Sequence, residues 1–491
     1  EQLELLRILV SASQTQQNDT QKKPQKLTRD AVMSAAIQEI LQLRQGMQQM
    51  NQMLLQTQKK LSQEQSLKDP FNRDSYSVQD LERAFQVMFA RQLVQNYSLG
   101  NNKTTDQIIC EMKMLSDVSK QIGKIEYQLN VAIMEESFYS IVKFSLKDLQ
   151  RCLDNNWIWY QDYQKTRRDI LFLLDADLGS WILNDMLLMQ YAIGNLEAFE
   201  TTHLYITDYL KKSTHPGTHH FMLANLVGGF RGSFSLPLAK RINDLLDSTM
   251  WAPIGQIIFG TAFVNVNKHK EGLELIERGI AELIAFGKGQ DSIHLFMVPW
   301  VLNAYVKTRS IDKGLALANY TLKKFAENQI ETYLGKSEIL RLKANLLILK
   351  KHSDFVPEPF TWRDSEAFVE DSVGMCEALP KLTIPKPSYG PLPYPDMLIP
   401  SKEKIEEDPK GLLQSALSLA QLQGMLIMEL RCGVDLVRYF LHIGDLKQAM
   451  EAAQVVKDAL ARIKGSKTAG EISRARFVVS LVDPRWLFQS Q

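Results

Sequence analysis

Apolar positions recur at steps of three and four over most of the chain, which is the period of an amphipathic helix. The first such run lies at residues 29–66. Thr28 and Asp30 can cap its start, and Met33, Ala36, Ile40, Leu43, Met47, Met50, Leu54, Thr57 and Leu61 make four heptads of an a/d seam. Glutamine crowds the other faces (Gln38, Gln42, Gln45, Gln48, Gln49, Gln52, Gln56, Gln58), and Gly46 weakens the middle by about 1 kcal/mol relative to alanine. A narrow apolar stripe on a polar, nearly uncharged helix serves two ends. It can form a coiled coil, with a partner or with a second copy, or it can lie along the rest of its own chain. Before it, residues 11–29 are polar and read as a linker. After it, residues 67–77 form a turn-rich break, and helical spacing runs on through about 78–97, 103–121, 122–141 and 145–172.

From residue 180 a unit recurs: an apolar helix, a short turn and a second amphipathic helix. The turns begin at Gly194, Gly232, Asn267, Arg309 and Gly444, and the first three steps between them are 38, 35 and 42 residues. That period belongs to helix-pair repeats. Glycine or asparagine suits the turn because a left-handed residue ends the first helix there. Serine, asparagine or aspartate next can cap the second helix. The apolar residue that follows (Leu196, Phe234, Ile311, Leu446) is expected to pack inward, with His269 in its place in the third turn. Three positions on, Gly272, Gly314 and Ala449 are small, as a close helix approach requires, whereas Phe199 and Pro237 are not. A further helix at 332–352 keeps the period. Nine of the 17 prolines then fall in an insertion at about 354–407, which blocks helix interiors and predicts a long surface excursion with one short helix near 363–378. Helices resume at 408–424, 425–443, 445–464 and 468–482, and Asp483-Pro484 ends the last.

Composition narrows the function classes. Fifty-seven basic residues face 56 acidic ones over 491 positions, so the basic excess of a general nucleic-acid binder is missing. No run of about 18 apolar residues predicts a membrane span. The chain begins at Glu1 without a secretory leader, and reads as processed or as a piece of a longer product. Cys110, Cys152, Cys376 and Cys432 are far apart, which argues against a disulfide framework or a zinc site and fits a reducing cytoplasm.

Two stretches near the C-terminal end carry a family likeness: Leu334 to Lys350 (LGKSEILRLKANLLILK), and Leu412 to Gly424 (LLQSALSLAQLQG) followed by Glu429-Leu430-Arg431. They resemble the final repeats of tetratricopeptide arrays attached to class III nucleotide cyclases, signal-transduction ATPases and transcription activators. The segment from His215-Pro216-Gly217 to Leu283 is similar to the same array, and the resemblance spans about 300 residues. It implies a sensing or protein-binding part. The family's catalytic parts have no counterpart: Gly100 to Thr105 lacks the upstream glycine and the preceding strand of a phosphate loop.

Other motifs reduce to structural readings. Asp175-Ala-Asp177-Leu-Gly179 lacks the glutamate of a calcium loop, since position 12 is Met186. His215, His219 and His220 have no further ligand nearby, and Pro216-Gly217 opposes a helix that would pair them. Gly228 to Gly232 follows a helix rather than a strand, so a repeat turn fits better than a phosphate cradle. Trp157, Trp159, Tyr160 and Tyr163 could stack bases or bind a peptide, but Trp157 and Tyr160 share a helical face that Tyr163 extends, which favours core packing, and the adjacent Lys165, Arg167 and Arg168 read as a solvated face. The proline-rich stretch around Tyr389 and Tyr394 is either an exposed ligand for an aromatic groove or a strap lying over its own helices.

The expected fold is all-α: a long N-terminal helix, a helical region over 78–172, tetratricopeptide-like pairs over 173–352, the insertion at 353–407, and final repeats with a capping helix over 408–491. In a superhelix of this kind each repeat touches only its neighbours. The expected role is a non-catalytic scaffold in a larger assembly, with no cofactor, metal or nucleic acid; the alternative is the regulatory tail of a cyclase or signalling ATPase. Binding is expected at the seam (Met33, Ile40, Met47, Leu54, Leu61), on the array face bearing Phe259, Phe263, Trp300, Asn303 and Tyr305, and at Tyr389 and Tyr394. The expected location is the cytoplasm, or else a cilium or other cytoskeletal assembly.

Overall fold

The computed structural model describes residues 78–82, 85, 88–89, 104–123, 125–141, 151–158, 161, 178–212, 236–246, 252–286, 297–357, 392, 394–400, 407–465 and 470–487. The seam residues of 29–66 therefore lie outside the described residues, as do Tyr389, the histidines at 215–220, the glycines at 228–232, and Asp175 and Asp177. The described residues are helical, with no strand among them. In chain order the helices are α1 (Thr105–Ile122), α2 (Ile125–Ile141), α3 (Leu178–Ala192), α4 (Leu196–Lys212), α5 (Leu236–Leu246), α6 (Ala252–Asn265), α7 (His269–Phe286), α8 (Val298–Thr308), α9 (Ile311–Glu327), α10 (Lys336–Lys351), α11 (Pro409–Leu422), α12 (Leu426–His442), α13 (Leu446–Arg462) and α14 (Gly470–Ser480).

Local chemistry sets the ends of these helices. Thr104 and Gln107 form a reciprocal capping box at the start of α1, and Gly123 closes it in the left-handed region. Four of the turns that the sequence period marks are described, and each opens on a left-handed residue: Gly194 (φ 72°), Asn267 (φ 63°), Arg309 (φ 55°) and Gly444 (φ 76°). Arg309 bears the steric cost of that conformation, and its guanidinium donates to the carbonyls of Ser353 and Phe355, tying the turn to the start of the insertion. The side chains of Asn195 and Asp445 accept from Ala198 N and Gln448 N, as caps should; Ser310 makes no such bond.

Close approach follows the small residues. A Cβ on Gly272 would sit 2.7 Å from the Gly260 carbonyl oxygen, and one on Gly260 would sit 2.6 Å from that of Gly272. The backbones of α6 and α7 touch at this point, which no larger side chain permits. Leu196 packs inward at 1% exposure, but Leu446 is 56% exposed, contrary to expectation. The buried stripe of α13 is built from Ala449, Ala452, Ala453, Val456 and Ala459 and begins one turn later, leaving Leu446 and Met450 outside it.

Packing has an alternating order. Successive helices from α5 to α14 contact one another, and helices two apart also touch: α6 with α8, α8 with α10, α10 with α12, and α12 with α14. One hairpin departs from neighbour-only stacking. Helix α3 packs on α12 as well as on α2 and α4. The backbones of Gly194, Leu196 and Lys464 are joined by an isolated parallel bridge, with Leu196 N donating to Lys464 O at 2.8 Å and Lys464 N donating to Gly194 O at 2.9 Å. Thr105 N likewise donates to Asn328 O. Segments more than 200 residues apart thus meet, and α3 is covered on nearly every face (Ile182 to Ala192 are all buried, the polar Asn184, Asp185 and Gln190 included), more than one neighbouring hairpin can provide.

Candidate functional site

Helix α10 carries three of its charges inward. Ser337, Glu338, Arg341, Lys343 and Asn345 are buried among Ile339, Leu342, Leu346 and Ile348. Glu338 and Arg341 stand three residues apart on one face, and Arg341 Nε and Nη2 donate to the two Glu338 oxygens at 2.7 and 2.8 Å. From α12, Asp435 Oδ2 accepts from Arg341 Nη1 and from Asn345 Nδ2, the latter at 2.7 Å. Also from α12, Arg431 donates to Glu338 Oε1 at 3.0 Å, to Glu471 of α14, and to the Tyr191 hydroxyl of α3 at 3.2 Å. This network joins four helices. Both arginines are 2% exposed, and Asp435 is wholly enclosed.

Desolvation and pairing compete differently at each acid. Burial pushes Glu338 up, but two guanidiniums beside it outweigh burial and hold its carboxyl below the usual range. Burial also pushes Asp435 up, and there it wins: Arg341 and Asn345 offset it only in part, and Oδ1 meets no donor. Of these five ionisable groups three are carboxyls and two are guanidiniums, so one carboxyl is left poorly compensated. Cys432, enclosed beside them, has its thiol pushed far up by burial, which removes thiolate reactivity. Such a buried lattice positions helices. Glu429, at the edge, pairs with Arg462 of α13, and Lys343 reaches Glu407 at 2.7 Å, clamping the return of the insertion.

The array-face residues divide. Phe259 and Phe263 are half-buried one turn apart on α6, with ring centroids 4.6 Å apart and Lys268 Nζ 5.3 Å from the Phe263 ring. Asn303 is half-buried on α8. Trp300 and Tyr305, expected on that face, belong to the core at 6% and 0% exposure. Helix α8 is enclosed by α6, α7, α9 and α10, so most of its sides face protein. Tyr305 in this conformation cannot touch a partner. Tyr394 is 49% exposed, and Lys313 lies 5.8 Å from its ring centroid. With Met397 and Leu398 buried against α9, this end of the insertion lies on its own helices, as the strap reading requires. Trp157 packs on Tyr205 of α4 with centroids 5.5 Å apart.

Among the described residues no group of three or more histidine, cysteine, aspartate or glutamate side chains could hold a metal ion, and no helix is long and apolar enough to cross a membrane. The ion-pair network was not foreseen as a site. Its signal was present as four polar residues, Glu338, Arg341, Lys343 and Asn345, set inside an apolar helix at a spacing that puts the first two together. Comparison with protein-family models and with curated proteins finds no match for the chain.

Proposed function

We propose that the chain is a non-catalytic scaffold: a tetratricopeptide-like array of helix pairs that binds other proteins of a larger assembly. The observation that carries this reading is the alternating contact of α6, α8, α10, α12 and α14, with α7, α9, α11 and α13 between them. Helix pairs stacked in that way present a continuous surface whose residues come from many helices. The half-buried Phe259, Phe263 and Asn303 are the array-face residues available to such a surface. The seam at 29–66 is the second element of the proposal, through a partner helix or a second copy of the chain. Cytoplasm is the compartment this reading favours, with a ciliary or other cytoskeletal assembly as the alternative.

A second reading has its own support. The segments that resemble cyclase- and ATPase-linked arrays supply Glu338, Arg341, Glu429 and Arg431, and three of these four lock together in the core. An array of that descent would act as the regulatory part of a catalytic module encoded beside it.

The test compares the full chain with a variant lacking residues 29–66. Sedimentation measures self-association, and quantitative mass spectrometry measures the proteins that co-purify. Scaffolding predicts a defined set of co-purifying proteins at constant ratio, part of it lost with the deletion. A full chain that sediments as a monomer and retains nothing at constant ratio ends the proposal. A transcript that continues into a cyclase or phosphate-loop module selects the second reading.

A further inference from the structure

Among the described residues, five buried or half-buried cations are matched by carboxylates: Arg341 by Glu338, Arg431 by Glu471, Lys343 by Glu407, Lys313 by Glu277, Lys457 by Asp483. Lys307, in the last turn of α8, breaks the pattern. Its half-buried ammonium has a single hydrogen-bond partner among the described residues, the neutral Asn265 Oδ1 at the end of α6, at 2.5 Å. No carboxylate lies within ion-pair distance of it among the described residues. A third group, Arg474 of α14, is close enough for its charge to act on Lys307.

The neighbouring amide completes a donor set. Asn265 must turn Oδ1 toward Lys307, because an ammonium only donates. Its Nδ2 is then the other end of the same amide, and it is buried without an acceptor. Two donors, one of them charged, stand one amide group apart. An acceptor with two oxygens would satisfy both donors. The C-terminal carbonyls of α8 do favour a cation in its last turn, but they leave the ammonium poorly matched. Burial and the Arg474 charge lower its pKa to about 8.

We propose that Lys307 Nζ and Asn265 Nδ2 form an oxyanion subsite between the ends of α6 and α8 that takes one carboxylate or phosphate group. One oxygen of the anion accepts from the ammonium and a second from the amide, and the charge of Arg474 adds attraction. A bound anion supplies the missing countercharge, so Lys307 titrates higher when the subsite is filled. The subsite does not depend on the scaffold reading, since a small anion and an acidic side chain present the same group.

The test uses the full chain and the Lys307→Met variant. That variant removes a desolvated charge and keeps the side-chain volume, so it folds. Thermal unfolding is followed at pH 7 in sodium phosphate, in sodium acetate and in sodium chloride at one ionic strength. The expected result is a melting temperature raised over the chloride arm in the unmodified protein and not in Lys307→Met. A rise in phosphate alone assigns the subsite to phosphate groups, and a rise in both extends it to carboxylates. In parallel, ¹³C-dimethylated lysine spectra, with Lys307→Met assigning the resonance, report its titration. Saturating anion is expected to move the midpoint up by about one pH unit. Equal melting shifts in both proteins, or a Lys307 midpoint that no anion moves, overturns the proposal.

Discussion

Neutralising two acids of the same buried network should have very different consequences. Glu338 is held ionised by two guanidiniums, whereas Asp435 has one guanidinium, one amide and an oxygen without a donor. Glu338→Gln removes the charge that Arg341 and Arg431 share. Breaking a buried pair from one side costs about 3–5 kcal/mol. The low end applies, near 3 kcal/mol, because Arg341 keeps Asp435 and Arg431 keeps Glu471. Asp435→Asn keeps an oxygen able to accept from Arg341 and Asn345 and removes the carboxyl that burial penalises most. Its cost should be that of a weakened hydrogen bond, about 1 kcal/mol. The pH dependence follows the opposed shifts. Glu338, depressed on folding, contributes stability that is present above the ordinary glutamate pKa and lost as pH falls through its lower folded value. Asp435, raised on folding, carries a penalty that grows as pH rises from the ordinary aspartate pKa through its folded value. Urea midpoints at pH 7 and pH 5, with hydrogen exchange over α10 and α12, measure both. If Asp435→Asn destabilises as much as Glu338→Gln, then charge balance does not govern this core and the reasoning fails.

Two further outcomes are expected. Lys307→Met should stabilise the chain in chloride at pH 7 by at most about 3 kcal/mol, since the ammonium titrates near 8 instead of 10.5. The penalty is complete below the folded value and fades as pH climbs to the unfolded one, so the advantage in urea midpoint should shrink above pH 8 and vanish past 10.5. Gly272→Ala should lower the urea midpoint by about 1–3 kcal/mol of stability, because the new methyl meets the Gly260 carbonyl at 2.7 Å and the α6–α7 backbones must separate; an unchanged midpoint would show that the helices part without cost.

Much of the helical pattern was legible because it depends on near neighbours. The spacing placed α10 at 332–352 against Lys336–Lys351 and α12 at 425–443 against Leu426–His442. The turn residues Gly194, Asn267 and Gly444 announce a left-handed position through their own small or amide side chains. Arg309 does not: it takes that conformation because the stacking of α8 on α9 demands a turn there, and its side chain is used elsewhere. Tyr305 shows the limit of periodicity where helices pack on several sides. A helix with neighbours on four sides buries residues that a one-sided reading assigns to a surface. Glu338 and Arg341 show the converse, since charges on a helix are ordinarily placed in solvent, and only Asp435 and Arg431, some 90 residues on, make burial tolerable.

The same network bears on how the fold is specified. Apolar contacts between stacked helices are permissive of sliding by a turn, because one leucine replaces another. A guanidinium with two assigned carboxylates is not: moving α10 by one turn against α12 strands Glu338 and Asp435 in the core together. The bond from Arg431 to Tyr191 extends that registry to a hairpin 240 residues upstream. Tyr191 lies three residues before Gly194, whose carbonyl accepts from Lys464. The polar contact and the backbone bridge therefore constrain the same hairpin at two points, one in the core and one at the turn. A helix as deeply buried as α3 could dock on many faces of a helix stack; these two contacts select one of them.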